Sequence, residues 1–106
     1  MNPTDVKQTI AISSTDTLQK YIGTVATDIG VSRIKAVQAH SSAADASVKI
    51  YNATDATTAS TLVFEAKWGS ADNSDFTFYL PQNGIRCQTG MHAVLANCDF
   101  LVVTFD

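Results

Sequence analysis

Residues 84–105, GIRCQTGMHAVLANCDFLVVTF, read as three short strands with a turn between each pair. Ile85 and Cys87 alternate with Arg86 and Gln88; Met91, Ala93 and Leu95 alternate with His92, Val94 and Ala96. In the last run Phe100, Val102 and Thr104 alternate with Leu101, Val103 and Phe105. A period of two puts one set on each face of a pleated strand. The last run is apolar on both faces. That suits a strand covered on both sides, or one that offers a surface to another subunit. Gly84 and Gly90 sit where the chain reverses, and glycine adopts φ > 0 there without steric cost. The block is expected to form a β-meander in the core of a sheet.

Working outward, the same alternation recurs. Residues 31–40, VSRIKAVQAH, form a long strand with Arg33, Lys35, Val37 and Ala39 on one face and Ile34, Ala36, Gln38 and His40 on the other. Residues 46–53 place Val48, Ile50 and Asn52 opposite Ser47, Lys49 and Tyr51. Residues 61–67 turn Leu62, Phe64 and Ala66 inward; residues 75–80 set Phe76, Phe78 and Leu80 against Thr77 and Tyr79. Pro81 to Gly84 is a turn signal, and Pro81 cannot donate to a ladder. Nearer the start, residues 9–13, TIAIS, form a first strand. Residues 17–23 are ambiguous: Leu18, Tyr21 and Ile22 have helical spacing with Gly23 as a stop. The Thr- and Val-rich surroundings favour a strand through 21–26 instead. Residues 1–8 are polar and are expected to form an arm, followed by one domain over 9–106.

About eight or nine strands at 8–12-residue spacing mark an all-β, single-domain antiparallel β-sandwich. A jelly roll or an immunoglobulin-like sandwich both fit. The immunoglobulin order of Cys, Trp, Cys is missing, because Trp68 precedes both Cys87 and Cys98.

The chain has 106 residues, a net charge of −3 and only 16% charged residues. Its cations, Lys7, Lys20, Arg33, Lys35, Lys49, Lys67 and Arg86, are scattered, which argues against a nucleic-acid partner. No run approaches the roughly 20 apolar residues of a membrane helix, and the polar start lacks the apolar core of a secretory signal. Synthesis in a cytoplasm is therefore expected, with reduced thiols at Cys87 and Cys98.

His40, His92, Cys87 and Cys98 are the soft ligands, and no pair has zinc-site spacing. Cys98 and His92 lie six residues apart across a turn, with nothing to orient the base. Asp45, Asp55, Glu65, Asp72, Asp75 and Asp99 are the carboxylates open to acid–base work, and most sit at turns where Asp bonds its own backbone. The loop Asp72, Asn73, Ser74, Asp75 is dense in oxygen ligands but lacks the full calcium-loop pattern. No G-x-S-x-G elbow and no Gly-rich phosphate cradle occurs. No catalytic, cofactor or metal residue is assigned, and the chain is expected not to be an enzyme. As an alternative, a jelly roll can bind carbohydrate, with Trp68, Tyr51 or Tyr79 as stacking residues.

The order of features from Val31 to Asp106 resembles small virion structural proteins of tailed bacteriophages. The motif G-I-[RK]-x-x-x-G-[LM]-x-[AV] stands here as Gly84, Ile85, Arg86, Gly90, Met91 and Ala93, followed by a turn and a hydrophobic terminal strand. The resemblance implies a non-enzymatic virion protein, assembled in the host cytoplasm, that decorates or cements a capsid. Its partners would be the major capsid protein or other virion proteins and further copies of itself as a homo-oligomer, with no nucleic acid, membrane or cofactor. A tail, adaptor or fibre component forming a ring or trimer is the other structural expectation.

Overall fold

The computed structural model describes residues 7–55, 58–67, 75–81 and 84–106. The described chain is all-β, and all its strand pairs are antiparallel. In chain order the strands are β1 (Lys7–Gln8), β2 (Asp16–Thr17), β3 (Gln19–Ile22), β4 (Val25–Asp28), β5 (Ser32–Ser41) and β6 (Ser47–Tyr51). They continue with β7 (Leu62–Lys67), β8 (Asp75–Tyr79), β9 (Ile85–Cys87), β10 (His92–Ala96) and β11 (Cys98–Phe105). A 3-10 turn, Ala59–Thr61, precedes β7.

One sheet has the order β1-β11-β5-β8, with β9 also pairing β5; the other has the order β2-β10-β6-β7. With the β3–β4 hairpin and β9 set aside, eight strands remain, and their pairing is nested. β1 pairs β11, β2 pairs β10, β5 pairs β8 and β6 pairs β7. The chain is thus one long hairpin folded at the β6–β7 turn and rolled until β11 meets β5 and β10 meets β6. This is the double Greek key of a jelly roll, so the immunoglobulin-like alternative gives way.

The expected meander is corrected by this topology. The three strands of residues 84–105 exist, but no two of them pair. β9 pairs β5, β10 pairs β2 and β6, and β11 pairs β1 and β5. Asn97, at φ 55, carries the chain from one sheet to the other. Local alternation marks a strand without naming its neighbour.

The core lies between the sheets. Ile34, Val37, Ala39, Leu101 and Val103 from one meet Val48, Ile50, Phe64 and Ala93 from the other in a single cluster. On β7, Phe64 is buried and Ala66 packs against the core, but Val63, expected outward, packs there too and Leu62 does not, because a register shift between Ile50 and Tyr51 leaves Val63 as an extra residue that breaks the alternation. β5 departs from strict alternation. Ile34 pairs Phe105 and Ala36 pairs Thr104, with a register shift between Thr104 and Phe105. The extra residue on β5, Lys35, is a bulge that reverses the faces. Ile34 points inward before it, and Val37 and Ala39 point inward after it. The expected two-face division of residues 31–40 therefore fails at that point.

Gly84 has φ 72, and a Cβ there would overlap the carbonyl oxygen of Ile34 beside the bulge. Gly90 is different. Its φ is not positive. It is needed for space, because a Cβ would come within 3.1 Å of the Ala53 and Ile29 carbonyl oxygens.

Three further expectations change near the amino terminus. Residues 1–6 of the expected arm lie outside the described residues, while Lys7 and Gln8 pair with Phe105 and Thr104. The expected strand 9–13 is irregular. Thr9 binds Val103 and Ile12 bridges Leu101, so four residues on one side span three on the other. The ambiguous segment 17–23 is neither a helix nor part of one strand through 21–26. It opens a hairpin that turns at Gly23.

Candidate functional site: the β3–β4 hairpin and its groove

The hairpin leaves the sandwich between β2 and β5. Its feet are anchored: Leu18 and Ile29 are 0% and 1% exposed, and the Leu18 N–H donates to the Met91 carbonyl at 2.8 Å. Beyond the feet, β3 and β4 pair with each other, from Gln19 opposite Asp28 to Ile22 opposite Val25. Two residues, Gly23 and Thr24, make the turn. Gly23 has φ 65, whereas Thr24 does not have positive φ. Positive φ at the first central position alone is the type II′ pattern that matches strand twist. At this projecting end Tyr21, Ile22 and Val25 are 63%, 60% and 63% exposed. A two-stranded ribbon on its own is only marginally stable, so large apolar side chains held on one in water make this end a candidate contact surface.

Beside the hairpin runs an open groove of about 680 Å³. One wall is β1 and the residues after it, to Ala11; the other is Lys20, Tyr21 and Ile22.

The residues weighed for chemistry are dispersed. His40 lies on one sheet and His92 on the other. Cys87 pairs with Ser32 and Cys98 with Ser41, at opposite ends of β5. Nine steps along that strand put them roughly 30 Å apart, far beyond a disulfide's reach, and both thiols are free and buried. Burial pushes the Cys87 thiol up to about 11 and the Cys98 thiol upward. The Cys98 thiol donates to the Ser47 carbonyl at 3.6 Å. His92 is at the far end of β10, opposite Tyr51, and its Nδ1 lies 3.0 Å from the Thr17 hydroxyl. The Cys98–His92 pair is not assembled.

Of the carboxylates, Glu65 faces Lys49 and Lys67 at 3.8 and 3.7 Å. Asp45, at φ 59, makes the β5–β6 turn, and Asp55 is exposed. Asp72, with the rest of its loop to Ser74, falls outside the described residues, as does Trp68. Asp99 and Asp75 converge on His40: its Nδ1 is 2.7 Å from an Asp99 carboxylate oxygen, and Asp75 is opposite it on β8. The hydrogen bond to Asp99 raises the His40 pKa, partial desolvation works against it, and the charges of Asp99 and Asp75 add to the rise. Among the described residues no three His, Cys, Asp or Glu side chains are placed to hold a metal ion.

Of the proposed stacking residues, Tyr51 is buried and Tyr79 is 77% exposed. Phe76 and Phe78 stack at 6.0 Å, and Phe78 meets Phe64 edge-on at 5.7 Å, closing the sandwich between β8 and β7. Sequence reading missed the hairpin surface. Its signal was present in the apolar Tyr21, Ile22 and Val25 around a lone glycine, but the segment was divided between helix and strand.

Comparisons with family models, curated proteins and solved structures find no match.

Proposed function

We propose that this chain is a non-enzymatic virion structural protein, a capsid decoration or cement protein that sits on the outer shell and links capsomers. The observation that carries the reading is the anchored hairpin, which holds Tyr21, Ile22 and Val25 out from a closed jelly roll. The sandwich supplies a rigid base and the hairpin supplies the contact. Jelly rolls recur in viral capsid domains; that support is by analogy of fold. The motif from Gly84 to Ala93 and the terminal strand add the resemblance to tailed-phage virion proteins. Its partners are the major capsid protein and further copies of the chain. Each hairpin contact is small, and repetition over a shell compounds weak contacts into stable attachment.

Quantitative mass spectrometry of purified particles tests the reading. Decoration requires copy numbers comparable to the major capsid protein. A few copies per particle would place the chain in a tail, adaptor or fibre instead, and its absence from particles would remove the virion reading.

A further inference from the structure

The groove beside the hairpin lies between two strand edges. The Ile10 N–H donates to the Gln19 carbonyl at 2.8 Å, closing the groove at that end. From there β1 and β3 run away in opposite senses. On β1, the Thr9 N–H donates to the Val103 carbonyl at 2.9 Å, so Thr9 faces β11 and the Gln8 main-chain groups face the groove. On β3, a two-residue turn makes Ile22 and Val25 a hydrogen-bonded pair, as are Lys20 and Thr27. Tyr21 therefore directs its main-chain N–H and carbonyl away from β4. Among the described residues neither Gln8 nor Tyr21 has a main-chain partner on that side. Lys7 and Lys20 line the same groove, with no carboxylate beside them among the described lining residues. Among the described residues neither of them forms an ion pair.

We propose that this groove is a docking site for an extended segment of a partner protein that alternates apolar and acidic side chains. The segment adds as a strand to the β1 edge, where main-chain hydrogen bonds supply affinity independent of sequence. Its apolar side chains lie on the face of Tyr21, and its carboxylates, on the opposite face, meet Lys7 and Lys20. Unpaired strand edges recruit strands in this way, and the two lysines select the charge. As an account of the capsid contact this rests on the decoration reading. The isolated protein tests it, so failure here leaves the copy-number result standing, and the reverse.

The probe is a synthetic peptide of three Val-Glu repeats, capped at both ends and titrated to millimolar concentration into ¹⁵N-labelled protein. The expected result is amide shifts confined to β1, the residues after it to Ala11, and Lys20, Tyr21 and Ile22, with slowed exchange of the Gln8 amide. A Val-Lys version of the peptide, or the Lys20→Glu variant, is expected to weaken binding by up to about fivefold for each pair lost, the scale of exposed ion pairs. No shifts at millimolar peptide, shifts elsewhere, or equal binding of the two peptides would overturn the proposal. So would the same amides shifting with protein concentration alone, which would make the occupant a second copy.

Discussion

β11 and the β3–β4 hairpin have similar raw material and opposite fates. Both are short β-branched and aromatic runs. In β11, Leu101 and Val103 are completely buried between β1 and β5, facing the second sheet. In the hairpin, Ile22 and Val25 are mostly exposed and, among the described residues, pair with each other across the ribbon. The difference is one of partners. A strand in the middle of a rolled sheet gains two ladders and a packed face, whereas a hairpin inserted between β2 and β5 gains one ladder and two buried feet. Apolar residues in the first stabilise the fold; in the second they are available to something else.

The largest way to sharpen the contrast is to empty each region in turn. Leu101→Ala removes a fully buried side chain and is expected to cost about 2–5 kcal/mol. Urea denaturation measures this as a lowered midpoint at unchanged slope. Ile22→Ala in the hairpin is expected to stay within about 0.5 kcal/mol of the parent. Equal losses at the two positions would break the contrast.

Backbone strain gives the next effect. Gly84→Ala meets both a positive φ and the Ile34 carbonyl, with an expected loss of about 1–3 kcal/mol. Gly23→Ala has the positive φ but open space around it, so its loss is smaller, about 1 kcal/mol. A thermal melt of each variant ranks them, and the reverse order would contradict the geometry.

A smaller, pH-dependent effect belongs to the outer face of the sheet that holds β5 and β11. His40 has a raised pKa in the folded state, so its protonated pair with Asp99 adds stability below the ordinary value of 6.5. That contribution falls away as pH rises through the raised value. Wild type should therefore exceed His40→Gln in melting temperature at pH 6 by more than at pH 8.5, roughly one ordinary histidine titration apart. A gap that widens with rising pH would contradict the pair.

The sequence was most legible where alternation and burial agree. β6, β7, β10 and β11 fall close to their expected ranges, because Val48, Ile50, Phe64, Ala93, Leu101 and Val103 repeat every second residue. The jelly roll was one of two sandwiches on offer, since pairing partners leave no local signal: β10 and β11 adjoin in sequence yet lie in different sheets. The bulge at Lys35 was hidden because one extra residue inverts the faces without changing composition. The hairpin was hidden because Leu18, Tyr21 and Ile22 satisfy a helical period by coincidence, with Leu18 serving the core and the other two facing water. The convergence of Asp99 and Asp75 on His40 joins three strands, and no sequence spacing records it.

Native-state hydrogen exchange on the isolated protein tests the separation of core and hairpin most directly. The amides of Val37, Leu101 and Val103 should exchange only through global unfolding, while those of Lys20 and Ile22, bonded within the hairpin, should exchange through local opening at far lower free energy. Hairpin amides as protected as those of β11 would show one cooperative unit and contradict the account.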